Sequence, residues 1–402
     1  MTFRLSSVVH PEKGIVDIDV ANGVIAAVNP SRTTTVEHQS YDLTGHVIVP
    51  SFVEPHAHLD KAFLADRVNN PEGDLLGAIR GLEAVRETIT FDDIVERAVT
   101  AAQLMSRNGV TSVRTHADTT EGGGLTSVLA LLEAKRLCAS FIDVQVAMLL
   151  SWPVTGAEGA RNRSLALEAI AAGVDVVGGC PHLDSDPTGS VEYFLQLALD
   201  HNLPLDLHAD ENLRTSSQDL DYLARLVNAD NIKHPISASH CVSLSIQDES
   251  IVRQTADRVA QANINITALP HTNLFLQGRE QTTAVPRAIA PVSLLRHAGV
   301  NVAAGADNVQ DPFNPMGRAD PLETAALMVM ASHQLPQDAM QMITSCASKV
   351  VHNHTTSVEV GQPANLVALP ATNLREAIAM GPPDRFVVYG GVVISNQKRN
   401  IK

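Results

Sequence analysis

Clusters of Lys and Arg beyond short pairs are missing from the 402 residues, and 29 basic against 44 acidic side chains leave a formal charge of −15. That field repels a nucleic-acid backbone and an anionic membrane alike, so no nucleic-acid or membrane partner is expected and a small neutral or cationic ligand is easier to accept. Acidity of this kind also serves plain solubility. Cysteine is scarce: Cys138, Cys180, Cys241 and Cys346 stand far apart with no Cys-x-x-Cys pair. Their spacing argues against a disulfide framework or a thiolate zinc knot and fits buried free thiols. Although 45% of the residues are hydrophobic, no apolar run approaches the length of a membrane span. The opening "MTFRLSSVVHPEKG" carries no basic segment ahead of a long apolar core, so the expected location is cytoplasmic. Low-complexity tracts and short solenoid repeats are absent too.

What is present is a repeated unit: a short Val/Ile/Leu-rich run, a polar turn, then an amphipathic stretch of helical length. Eight runs recur: "HVIVPSFVEPHAHLD" (46–60), "TSVRTHAD" (111–118), "DVQVAMLL" (143–150), "VDVVGG" (174–179), "LPLDLHAD" (203–210), "PISASHC" (235–241), "INITALP" (264–270) and "VNVAAGADN" (301–309). Helix-like segments such as 91–109, 125–138, 190–202 and 291–299 lie between them, several closing in Gly or Asn as a helix C-cap would. The pattern predicts an α/β fold, a parallel (β/α)8 TIM-type barrel over residues 51–355. The chain ends read differently, with period-two alternation in "GIVDIDVANGVIAAV" and strand signals in "ANLVALP" and "FVVYGGVVIS". Residues 1–50 and 356–402 are therefore expected to form one small β-sandwich; a separate domain at each end is the alternative.

The stretch "SFVEPHAHLDKAF" (51–63) sets His56 and His58 two apart, so that in an extended strand both point the same way. In such a barrel the functional face lies at the strand C-termini, where polar residues gather: His56 and His58; His116 and Asp118; His208, Asp210 and Glu211; His240; and Asp307. Buried imidazoles and carboxylates facing one centre are costly unless paired or metal-bound. Three imidazoles and one carboxylate, His56, His58, His208 and Asp307, suit one divalent ion, zinc or iron(II), with a position left for water.

The blocks "FVEPHAHLDKAF", "VRTHAD", "DLHADE", "SASHC", "PHTNLFLQGR" and "GADNVQDPFNPMG", in this order, resemble the cytosine deaminase branch of the amidohydrolase superfamily almost end to end. The resemblance implies a distorted (β/α)8 barrel with a terminal β-sandwich, a homo-oligomer, and one divalent metal on His56, His58, His208 and Asp307. It implies Glu211 as proton shuttle, His240 as a catalytic residue behind the metal ligands, and Asp307 as acceptor of the water proton. Binuclear relatives bridge two metals with a Lys on the fourth strand; "VDVVGG" has none, which favours a single ion. Cytosine deaminases carry a Gln after the third strand whose amide grips cytosine, and that place holds Leu150. Beside the metal Asp they often carry a second Asp where this chain has Asn308, which can donate to a ring carbonyl. Losing the amide disfavours cytosine and points to a re-oriented aminopyrimidinone such as isocytosine. A creatinine or other cyclic amidine deaminase is an alternative, as are an N-alkylamino-heterocycle hydrolase and a catalytically dead binding barrel. Candidate substrate contacts are Leu75, Leu150, Trp152, Gln277, Asn308 and Phe313; His116 is a candidate pocket residue.

Overall fold

The structure is a computed structural model and describes residues 2–31 and 39–396. Eight parallel strands make the barrel in sequence order: Phe52–Ala57, Val110–Thr119, Asp143–Leu150, Val177–Gly179, Leu205–Ala209, Ile236–His240, Asn265–Ala268 and Val302–Ala304. A parallel bridge between Ala57 and Asp307 joins its two ends. Two backbone bonds frame that bridge, from Asp307 N–H to the His56 carbonyl (3.1 Å) and from His58 N–H to the Asp307 carbonyl (3.2 Å).

Helices cover the barrel because their apolar stripes have nowhere else to go. In Phe91–Arg107 the Thr90 hydroxyl caps the Asp93 N–H, Asp92 and Asp93 oppose the positive end of the dipole, and Arg107 sits in the last turn. Ile94, Ala98, Ala101, Ala102 and Met105 recur at helical spacing and are buried against the barrel. Beneath the functional face lies Arg114, fully buried in the early half of the second strand. It donates to Asp206 (2.8 Å), Ser237, Gln145 and the carbonyls of Val350 and Val351 at the end of the helix Ser345–His352. A cation there satisfies helix-end carbonyls that burial would otherwise orphan.

Both chain ends contribute to one eight-stranded sheet. Its order is Val392–Asn396, Phe386–Tyr389, Leu366–Leu369, Val47–Pro50, Thr2–His10, Gly14–Ala21 and Val24–Pro30, with Gln39–Asp42 paired to Thr2–His10. The sheet wraps around its own core: Phe3, Leu5, Ile18 and Ile25 from one arm pack with Leu366, Ala368, Phe386 and Val388 from the other. Tyr41 stands edge-on to Phe3 and Phe386 at centroid distances of 5.7 and 4.9 Å. Alternation carries Val47, Val49, Val367 and Val387 to the opposite face, where they join the barrel core. Residues 32–38 and 397–402 of the expected terminal segments lie outside the described residues.

One boundary differs from the sequence reading. The run 46–60 is two strands, Val47–Pro50 in the terminal sheet and Phe52–Ala57 in the barrel, divided at Ser51. Pro50 has no N–H to continue a ladder, and the Ser51 hydroxyl instead meets that of Thr111 at 2.5 Å. Among the described residues no helix is long and apolar enough to cross a membrane.

Candidate active site

His56 is the penultimate residue of the first barrel strand, His58 lies one residue beyond its end, and Asp307 follows the last strand across the bridge. The barrel seam thus brings two imidazoles against one carboxylate: His58 Nε2 is 3.3 Å and His56 Nε2 3.7 Å from Asp307 Oδ1. His208, in the fifth strand, aims its Nε2 at that of His58 from 3.3 Å. The ligand-type atoms of His56, His58 and Asp307 lie within 4.8 Å of one another, and so do those of His56, His116 and His208. Asp307 at φ +66° and His240 at φ +65° both occupy the left-handed region, a strained backbone setting for non-glycine residues that clusters at functional sites.

Burial, and then the neighbouring imidazoles, push His56 and His208 well below the ordinary histidine value; burial and His58 do the same to His116. The rings are neutral and keep lone pairs. Both nitrogens of His56 and of His116, Nδ1 of His208 and both carboxylate oxygens of Asp307 are buried without a hydrogen-bond partner. Native interiors rarely leave polar atoms so, and a divalent metal fits this donor set. His116 stacks on His56 with ring centroids 4.1 Å apart and does not reach the cavity wall. Beside the site His182 is also buried, its Nδ1 3.1 Å from the His208 carbonyl, and burial followed by His240 pushes it down to about 3. It props the His208 strand as a neutral ring.

Glu211 follows the fifth strand, and its Oε1 lies 3.5 Å from His240 Nδ1. Burial first, and the Asp307 charge second, lift its carboxyl well above the usual carboxylate range. Burial pulls His240 down to about 4, and Asn273 Nδ2 lies 3.0 Å from its Nδ1 and fixes the ring. Asn308 is held by two partners: Thr272 donates to Oδ1 (2.9 Å), and Nδ2 donates to Asp311 (2.7 Å), leaving one amide hydrogen unassigned.

His58, His208, Glu211, His240, Asp307 and Asn308 form the floor of a solvent-open cavity whose empty space, its mouth included, is about 740 Å³. Its wall includes Leu75, Leu150, Trp152, Asn308 and Phe313, five of the six side chains the sequence nominated for substrate contact. Gln277, the sixth, is corrected: it is not on the wall, because its amide turns away to donate to the Glu211 carbonyl at 3.3 Å. That bond orders the loop carrying Glu211.

Sequence reasoning did not single out Lys61. Its ammonium is buried, 2.7 Å from Asp118, 3.7 Å from Asp60 and 3.0 Å from His58 Nδ1. Burial alone would lower its pKa; Asp118 and Asp60 outweigh that and hold it raised and charged. The only sequence signal was Asp60-Lys61 at a strand exit, a charge pair where the chain turns inward. The helix Leu75–Val85 roofs the cavity and adds Ile79, Leu82 and Glu83, with Arg86 just beyond it.

Asp210, beside Glu211, faces outward from the cavity and accepts from Ser217, Asp219 N–H and Leu220 N–H. Burial and then the Asp210 charge lift Asp219 to about 8. A carboxyl raised in the folded state binds its proton more tightly there than in the unfolded chain, so stability falls as pH rises from about 4, the unfolded carboxylate value, toward 8. Asp219→Asn is expected to flatten this dependence and to raise the melting temperature at pH 8 by about 1–3 °C, with little change at pH 5. Thermal melts at both pH values check the result.

Comparison with known proteins finds the same overall fold and family. Pterin deaminase of Rhizobium rhizogenes (strain K84 / ATCC BAA-868) is 30% identical over 385 residues, spanning 94% of this chain and 87% of that protein. N-isopropylammelide isopropyl amidohydrolase of Pseudomonas sp. (strain ADP) is 23% identical over 396 residues, 94% of this chain and 93% of that protein. Among solved structures, 5-methylcytosine deaminase from Klebsiella pneumoniae, liganded with 5-fluorocytosine, superposes with a TM-score of 0.90 at 27% identity over 98% of each chain. Residues 64–397 match the Amidohydrolase family. The match covers most of the barrel and the C-terminal strands, and the chain belongs to that family, in its cytosine deaminase-like branch.

Proposed function

We propose that the protein is a metal-dependent hydrolytic deaminase of a 2-amino-4-oxopyrimidine ring, replacing the amino group with oxygen and releasing ammonia. The observation that carries the reaction type is Glu211, a buried carboxyl with a raised proton affinity beside His240 and Asp307 on the cavity floor. An ion on His56, His58, His208 and Asp307, zinc or iron(II), supplies Lewis-acid activation of a water molecule when bound.

The chain's own groups do the rest. Asp307 takes the first proton from the attacking water. Glu211 donates its proton to the ring nitrogen next to the amino-bearing carbon, which relieves the charge that attack builds up. It then collects the second water proton and passes it to the departing amine, and the proton held by Asp307 returns to Glu211 to restore the starting state. His240 hydrogen-bonds the incoming oxygen from below, and its fixed ring needs no rearrangement as charge develops. The remaining Asn308 amide hydrogen is available to a ring carbonyl. Carbon exchanges one C–N bond for one C–O bond, and water balances the ammonia.

The pocket favours an extended ring. Leu75, Ile79, Leu82, Leu150, Trp152 and Phe313 give the cavity an apolar flank against which a second, fused ring would pack. Isocytosine supplies the reacting unit, and the pterin ring, the substrate in the name of the 30%-identical relative, is that unit fused to a second ring. A fused 2-amino-4-oxo bicycle is thus preferred to isocytosine, and either to cytosine. Run in ¹⁸O-labelled water, the reaction is expected to give one equivalent of ammonia and one heavy oxygen at the former amino carbon. Release of an alkylamine, or product without label, contradicts the reading.

Leu150 tests the specificity argument. Leu150→Gln restores an amide on the cavity wall, and the ratio of kcat/KM for cytosine to that for isocytosine is expected to rise about 10–100-fold. An unchanged ratio means that another group selects the ring.

A further inference from the structure

Glu54 precedes His56 by two residues in the first barrel strand, is 4% exposed, and has no part in the chemistry above. Its carboxylate spans the barrel seam. Oε1 accepts the His56 N–H at 3.2 Å, and Oε2 accepts the Ala306 N–H at 3.0 Å. The last strand ends at Ala304, so the Ala306 N–H has left the regular ladder when Glu54 receives it. Asp307 comes next, in its left-handed conformation. Gly305 makes room for the arrangement, since a Cβ there would stand 2.4 Å from Glu54 Oε1.

We infer that Glu54 is a positioning residue: its two oxygens clasp the first and last strands together and so set the spacing between His56 and Asp307. The clasp reaches one backbone group directly at His56 and one immediately before Asp307. The carboxyl group offers two oxygens to two converging N–H groups; a Gln side chain keeps the volume but turns a donor toward one of them. The inference rests on the metal reading of the site, and its test reports on metal binding independently of turnover.

Cobalt(II) is the probe, because its visible absorption follows ligand geometry. Glu54→Gln is expected to weaken cobalt affinity about 10–100-fold, to shift the absorption bands, and to lower kcat with KM within about twofold. Ser51→Ala is the control just ahead of the same strand; its hydroxyl meets that of Thr111 on the neighbouring strand, away from Glu54's two partners. It is expected to keep wild-type cobalt affinity and spectrum. Should Glu54→Gln fail to fold, Gly305→Ala displaces the same carboxylate oxygen and is expected to shift the spectrum in its place. Wild-type cobalt affinity and spectrum in Glu54→Gln or in folded Gly305→Ala overturn the clasp alone, as does an equal loss in Ser51→Ala. A wild-type protein that takes up no cobalt overturns the metal reading together with the clasp.

Discussion

Glu211→Gln is expected to lower kcat for ammonia release about 10²–10⁴-fold while leaving the metal content and the fold unchanged. Glutamine keeps the volume and polarity of the side chain but cannot cycle a proton. The size of the effect follows from the two transfers assigned to this one group, delivery to the ring nitrogen and return to the leaving amine. Its environment suits both: burial and the nearby Asp307 charge raise the carboxyl's hold on its proton, and His240 stands 3.5 Å away. The sign of the pH dependence follows. Activity requires the protonated acid, so turnover declines as pH rises through the raised Glu211 value, and the variant loses that limb of the profile. Steady-state kinetics across pH, with metal analysis of both proteins, check this; a variant within about threefold of wild type removes Glu211 from the proton path.

Asp307→Asn is expected to remove both metal and activity. Asp307 is the one carboxylate among the proposed ligands, and its Oδ1 already faces His56 and His58 at 3.7 and 3.3 Å. Burial opposes its ionisation, yet His58 and His240 outweigh burial and hold its pKa below the ordinary carboxylate value. An amide at this place leaves a neutral donor set for a divalent cation and ends the residue's service as proton acceptor. Loss of the proton step alone is worth about 10²–10⁴-fold in rate, and loss of the ion adds to it. Backbone bonds, not the side chain, tie Asp307 to the first strand, so the barrel is expected to stay closed. Metal analysis and circular dichroism of the variant distinguish the outcomes. A folded Asp307→Asn protein with a full equivalent of metal and wild-type turnover contradicts the ligand assignment.

How far the site could be read from sequence depends on what kind of contact each residue makes. His56 and His58 were legible because strand alternation fixes their common direction before any tertiary contact forms. His208, Glu211, His240 and Asp307 were legible as polar residues at the ends of apolar runs, which barrel closure must bring together. The Lys61–Asp118 pair was not, since it joins the loop after the first strand to the end of the second and depends on how that loop turns. The roof helix Leu75–Val85 belongs to the same class: it packs Leu82 and Ala78 against Leu276 and Phe313, partners some 200 residues away. Gln277 illustrates the reverse failure. The helix Pro270–Leu276 ends one residue before it, its backbone leaves in an extended conformation, and the amide finds the Glu211 carbonyl instead of the cavity. The division at Ser51 was hidden because apolar residues continue on both sides of it, Val47–Pro50 before and Phe52 and Val53 after, and only pairing partners far along the chain separate them.

Ammonia release by the zinc- or iron-loaded protein on pterin, isocytosine, cytosine and creatinine tests the central claim most directly. The account expects turnover of the two 2-amino-4-oxo rings, with kcat/KM higher for pterin than for isocytosine and low for cytosine, and loss of all of it in Glu211→Gln. Cytosine as the best substrate, or no ammonia from any of the four, contradicts the account.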